Sequence, residues 1–425
     1  MNSYFSHFSL ALGEPDSRIE KLRFILLNLF VFFLPFDRFY TTLILSLIII
    51  TTILDLSKEK LRSIPNQFWI FQLVFLISVS GYFYSHNKSE AGLLIERQLA
   101  ILIFPLLIPL AIKITKERLN ALLITFTMSC IFSILILFGY ALFSLYQTHE
   151  HFSRLFSQAF FNHNFSSPIG IHAGYLSMYI SLCLIFILTQ YSTSTRQQKV
   201  MIVLTLLILT IGLLFLAARN VLIYTVIIVL FVYPFYYVKK KALYFLMSFL
   251  IIGSSSLFII NNDFLKNRFS INLLEDINFN KSKQNMLEME PRSQRWLLGI
   301  ELIKKRPLIG CGTGDEIDNL KPKYKEEGFV ISYLENYNAH NQYLSILIKH
   351  GILGLIIFIL AFFYYFKYSV QSNSFVYFVF LFGICFSFLT ENVLNSDKGI
   401  FFFAIFNTIF GYYAILFKNN SNTIP

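Results

Sequence analysis

The residues best equipped for chemistry sit at the ends of long apolar runs or in the one large polar segment. Arg219 lies in Phe215-Leu216-Ala217-Ala218-Arg219-Asn220-Val221-Leu222, between two such runs. An ionisable residue there is costly, and marks either a functional site or a side chain reaching for lipid headgroups. Arg292 and Arg295 are spaced i, i+3 in Pro291-Arg292-Ser293-Gln294-Arg295-Trp296, so on a helix they share a face. Two guanidinium groups on one face make a fork for phosphate oxygens, or simply the basic face of an interfacial helix. His340, in Asn338-Ala339-His340-Asn341-Gln342, leads straight into another apolar run. An imidazole titrates near neutral pH and suits the deprotonation of an alcohol, although a lone histidine at a water boundary is also a common hydrogen-bonded interface residue. Glu391 ends a further apolar run, where it could orient a sugar or pair with an arginine.

Other polar clusters read as less specific. His86, His149, His151, His163 and His172 match no zinc-ligand spacing and are expected to be polar loop residues. Gly310-Cys311-Gly312-Thr313-Gly314-Asp315 has no preceding strand, so a dinucleotide loop is excluded and a flexible turn is expected. Asp315, Glu316 and Asp318 read as a solvated acidic turn. Of four cysteines, Cys130, Cys183 and Cys385 lie in apolar runs, and Cys311 alone lies in a polar segment. They form neither a disulfide framework nor a metal set.

The elements that must position these residues are helices in lipid. The 425 residues are 56% hydrophobic, 18% aromatic and only 14% charged, with a mean hydropathy of +0.61. A water-soluble fold of this size could not hide so much apolar surface. The pattern predicts an all-α polytopic protein with about 12 transmembrane helices. They are expected near 21–36, 39–55, 66–84, 97–113, 119–146, 168–190, 199–217, 219–238, 242–261, 342–366, 373–391 and 399–417. The fifth is long enough to tilt or to extend beyond the bilayer. Nothing after the first run resembles a cleavage site, so it is expected to be retained.

The chain therefore divides into helices 1–9 within 1–261, a large loop domain at 262–341, and helices 10–12 within 342–425. Short loops carry Lys58, Lys60, Arg62, Lys113, Lys116, Arg118, Arg196, Lys199, Lys239, Lys240, Lys241, Lys367 and Lys418. Their basic character predicts a cytoplasmic side, with both termini there and the large loop opposite, in the periplasm. The loop itself holds 12 Lys/Arg and 12 Asp/Glu. The net charge of +11 is thus mainly topological, and a nucleic-acid partner is not implied. Within the loop, 291–307 reads as an amphipathic helix with Pro291 at its first position, Glu288 and Glu290 at its positive end, Lys304, Lys305 and Arg306 at its negative end, and Pro307 as its stop.

Taken in order, these features resemble the O-antigen ligase and polymerase family of bacterial inner-membrane glycosyltransferases. The resemblance rests on the Arg219 turn between two spans and on the single large late loop. Within that loop it rests on Arg292-Ser-Gln-Arg295-Trp296, Arg306-Pro307-Leu-Ile-Gly310-Cys-Gly312 and Ala339-His340-Asn341-Gln-Tyr343-Leu, with Gly351 and Gly354 beyond. Thr390-Glu391-Asn392 and Lys398-Gly399-Ile-Phe-Phe-Phe close it. It covers roughly 200–417; Ala217-Ala218 depart from it, standing where relatives often carry hydroxyl residues.

The resemblance implies a GT-C-type enzyme of the multi-pass inner membrane, with no metal, nucleotide sugar or other cofactor. Its donor would be a glycan on undecaprenyl pyrophosphate and its acceptor lipid A-core or a similar glycan, with membrane lipids around it. Arg219 with Arg292 or Arg295 would bind the pyrophosphate, His340 would act as general base, and Asn341 and Glu391 would contact substrate. Ligation is the first reading, because 147–167 is short where family polymerases tend to carry a second substantial loop. Repeat-unit polymerisation and protein O-oligosaccharyl transfer are variants of the same chemistry. A transporter would need midplane charges, which are scarce in these runs.

Overall fold

A computed structural model describes residues 17–62, 64–239, 241–271, 274, 290 and 292–421. The expected Pro291, Glu288 and Lys240 lie outside them. The described residues are helical, with no strand. Among the described residues, eight helices are long and apolar enough to cross a membrane, and three shorter apolar helices accompany them. The chain is an all-helical polytopic membrane protein.

The helices that matter here are α1 Arg18–Phe33, α2 Arg38–Leu54, α3 Leu73–Tyr84, α4 Lys88–Ala111, α5 Lys116–Gln147, α6 Ala173–Gln190 and α7 Arg196–Leu216. They continue as α8 Arg219–Ile227, which runs on to Tyr237, α9 Lys241–Asn261, α10 Arg292–Lys305, α11 Glu316–Glu327, α12 Gln342–Gln371, α13 Phe375–Ser387 and α14 Asp397–Ser421. Helix α14 packs against α4 and α12, α6 against α5 and α7, and α3 against α4 and α12. Phe126, Tyr179, Phe380, Phe402 and Phe406 knit the centre edge-on and tilted. Leu135, Leu207, Phe249 and Phe363 instead point outward, as a lipid-facing belt requires. At 32 residues, α5 is about 48 Å long, well over a hydrocarbon core of about 30 Å.

Loops gather at two opposite ends. At one, Arg38 pairs with Asp397 at 2.5 Å, Asn262 donates to the Phe156 carbonyl at 2.7 Å, and the Asn162 amide donates to the Phe215 carbonyl at 2.9 Å. At the other, the buried Arg23 binds Asp55 at 3.0 Å and the carbonyls of Thr51 and Ala111, and Lys60 joins the same carboxylate. Arg118, expected in a basic loop, turns inward, donating to the Lys113 carbonyl at 2.8 Å with its guanidinium over Phe24. The basic loops and the large loop thus sit at different ends of the bundle.

The segment 310–316 overturns the expectation of a flexible, solvated turn. Every residue in it is buried. The cause is a break in α12, where Gly351 adopts φ 61°, ψ −163°. A break strands backbone donors and acceptors that must find partners elsewhere. The preceding segment supplies them. The Ile348 and Lys349 carbonyls accept from the Cys311 and Gly312 amides, both at 2.9 Å. The Ile352 and Leu353 amides donate to the Pro307 and Leu308 carbonyls at 2.8 and 3.2 Å. Asp315 accepts from the His86 and Asn87 amides at 2.8 and 2.7 Å, and Asp318 from the Asn87 side chain at 2.8 Å. Glu290, expected at the positive end of α10, instead accepts from the Ile331 and Ser332 amides. The loop has a small core of its own around Leu298, Leu320, Tyr324 and Phe329.

Candidate active site

The loop-rich end carries a cleft of about 560 Å³, open solvent included. It is lined by Asn162, His163, His172, Tyr175, Arg219, Asn220, Arg268, Arg292, Thr390 and Glu391, among others. Each wall follows from local structure. Helix α7 ends because Ala217 turns left-handed, at φ 44°, ψ 35°, and its small, fully buried side chain fits that turn. The turn delivers Arg219 to the first position of α8. Arg219 Nη1 donates to the Arg268 carbonyl at 3.1 Å, and Arg268 Nε donates to the Ala217 carbonyl at 2.9 Å. Two arginines 49 residues apart in sequence therefore tie the turn at Ala217 to the segment around Arg268.

Glu391 lies in the link between α13 and α14. Its Oε1 accepts from Arg292 Nη2 at 2.9 Å, and its Oε2 lies 3.5 Å from His340 Nδ1. Burial works to raise the Glu391 carboxyl. The contact with His340 and the charge of Arg292 outweigh it, and hold the group down at about 2. His340 has a left-handed backbone, φ 45°, and its amide donates to Asn338 Oδ1 at 2.9 Å. Its ring stands edge-on to Tyr337, with centroids 5.2 Å apart.

Of the residues named from sequence, Arg219, Arg292 and Glu391 line one cleft, and His340 reaches it through Glu391. Arg295 does not line it. Its guanidinium is buried over the Tyr337 ring, 5.1 Å from the centroid, so it supports the ring on which His340 rests. Asn341 caps α12, accepting from the Tyr343 and Leu344 amides at 3.0 and 3.1 Å and donating to the Leu389 carbonyl at 3.1 Å. Trp296 fixes the same corner by donating to the Ala339 carbonyl at 3.0 Å. Sequence reasoning missed Arg268 and set aside His163 and His172. The one available signal for Arg268 was its position just beyond an apolar run, as for Arg219.

Fold and cleft together define a polytopic membrane protein with a cationic, water-accessible site at one end of its bundle. Three arginines and one glutamate give that site a formal +2. Residues 204–359 match the family described as O-Antigen ligase, which supports placing the chain in the O-antigen ligase family. The match takes in Arg219, Arg268, Arg292, Arg295 and His340, and stops before Glu391. Members of that family are glycosyltransferase-like enzymes of ligase or polymerase type that work on lipid-linked glycans. No curated protein matches the chain.

Proposed function

We propose that the protein is an inner-membrane glycosyltransferase of ligase type. It moves a glycan from undecaprenyl pyrophosphate to lipid A-core, or a similar acceptor, on the periplasmic face. The observation that carries this reading is the cleft in which Arg219, Arg268 and Arg292 converge beside a His340–Glu391 pair. Nδ1 of His340 faces Glu391, which leaves Nε2 to take the proton from an acceptor hydroxyl. The new oxygen bond forms at the anomeric carbon as its bond to the diphosphate oxygen breaks, and the electron pair leaves on the diphosphate. The arginines stabilise that charge, so the leaving oxygen needs no protonation. Attack opposite the leaving group inverts the anomeric centre.

The test is His340→Ala, checked for normal amount in the membrane. A general base contributes about 10²–10⁴-fold in rate, so transfer is expected to fall by that factor. For a ligase, long polymerised glycans remain on the lipid carrier and lipid A-core stays bare. A core capped by one repeat unit would assign polymerisation instead, with the same chemistry. Unchanged glycans would remove His340 from the base role.

A further inference from the structure

The wall of the cleft that includes His163 and His172 has a titratable character of its own. The two rings lie with centroids 4.0 Å apart at 51°. They come from separate elements: His163 opens the single turn His163–Ser166, and His172 is the N-cap of α6. His172 Nδ1 accepts from the Gly174 amide at 3.2 Å. A ring nitrogen that accepts carries no proton, so this bond favours the neutral ring with its proton on Nε2. Two imidazoles in contact do not both ionise. The charged groups facing them come from every surrounding element: Arg268 after α9, Arg292 on α10, Glu391 after α13, His340 before α12 and Arg219 on α8. Desolvation in the wall, then His172, then Arg268 lower His163 to about 4, and Glu391 offsets only part of this. His172 is lowered too, again first by desolvation.

Charge balance says what would change that. The arginines and Glu391 sum to +2. A diphosphate diester such as a glycan donor carries about −2, which matches. The discharged carrier ends in a terminal phosphate that ionises a second time near pH 6, and so approaches −3 at neutral pH. Once His340 has released the acceptor's proton, the cleft holds one negative charge too many. We propose that the His163–His172 pair completes the diphosphate subsite, taking up one shared proton when a terminal diphosphate occupies the cleft. This rests on the function proposed above, and extends it to a pair of binding residues and to the distinction between charged and discharged carrier.

The test uses the full chain in detergent with farnesyl diphosphate as the probe. Calorimetry in two buffers of different ionisation enthalpy counts the protons taken up, and affinity is followed from pH 8 to pH 6. The comparison is His163→Gln with His172→Asn, since asparagine keeps the helix cap. The wild type is expected to take up more of a proton per diphosphate than the variant, approaching one. Its affinity should gain on the variant by up to about tenfold per pH unit, the two being alike at pH 8. Equal proton counts and equal pH slopes with binding retained would overturn the inference and leave the diphosphate reading standing. No binding to either protein at any pH would overturn both.

Discussion

At the scale of single residues, Glu391 is the hinge of the site, because one carboxylate serves Arg292 and His340 together. Its folded value near 2 lies below the ordinary 4.5. A depressed carboxyl stabilises the folded state in full above its unfolded value, and that contribution is lost as pH falls through the folded one. Glu391→Gln is therefore expected to lower the melting temperature in detergent by a constant amount at pH 5 and above. The gap to wild type should shrink below pH 4.5 and vanish near pH 2. A gap that does not depend on pH would mean that the lost contact is steric, not ionic. The same variant leaves Nδ1 without its anion, and is expected to cut transfer at neutral pH by about 10²-fold, read as turnover on a lipid-linked glycan. Sequence made Arg219, His340 and Glu391 visible because each stands at the end of an apolar run, and Arg292 because of its i, i+3 spacing with Arg295. It misled for Arg295, since residues three apart on a helix share a face only broadly. With α10 packed against α12, one of the two arginines is carried inward to Tyr337 while the other reaches the cleft. Arg268 carried no signal beyond its position after an apolar run, because its partners, Arg219 and Ala217, are set by folding and not by any local pattern.

At the scale of elements, the break in α12 ties the large loop to the bundle. Gly351 sits in a backbone region open essentially only to glycine. A Cβ there would also run into the Leu308 carbonyl group, and one at Gly310, φ 70°, into the backbone of Lys349. Beneath this clamp Glu316 accepts from the Ala339 amide at 3.2 Å and from Ser345 Oγ at 2.5 Å, 3.6 Å from Lys349 Nζ. Ala339, the residue before His340, is thus held by the same segment that seals the helix break. Gly351→Ala is expected to cost at least about 2 kcal/mol, seen as a lower melting temperature in detergent, and to reduce transfer through misplacement of His340. A variant as stable and as active as wild type would show that the clamp is dispensable. Apolar periodicity located the helices, of which eight among the described residues are long and apolar enough to cross a membrane, but it could not disclose this clamp. The glycines read as a loose turn because the carbonyls they satisfy lie some forty residues away, in a helix whose break has no signature beyond one glycine.

At the scale of the whole molecule, the distribution of charge sets an orientation that the packing makes internally consistent. The loops at 85–96, 147–167, 262–341 and 392–398 are joined at one end through contacts such as Asp315 to Asn87, Asn262 to Phe156 and Arg38 to Asp397. Arg23, Asp55 and Lys60 close the opposite end, among the basic loops. Because such contacts tie loops of one end together, a measurement on one loop reports on the loops joined to it. The native Cys311 is a poor reporter, since it is buried and its thiol is pushed up to about 12, first by burial and then by Glu316 and Asp315. Exposed positions serve better. Lys325 on α11 and Lys58 in the basic loop both face solvent. If the basic loops face the cytoplasm, a membrane-impermeant maleimide applied to outer-membrane-permeabilised cells should label Lys325→Cys and spare Lys58→Cys until the inner membrane is opened. The reverse pattern would invert the orientation and put the cleft in the cytoplasm. A periplasmic acceptor could not meet it there, so the proposed transfer would fail on topology alone, whatever the chemistry of His340.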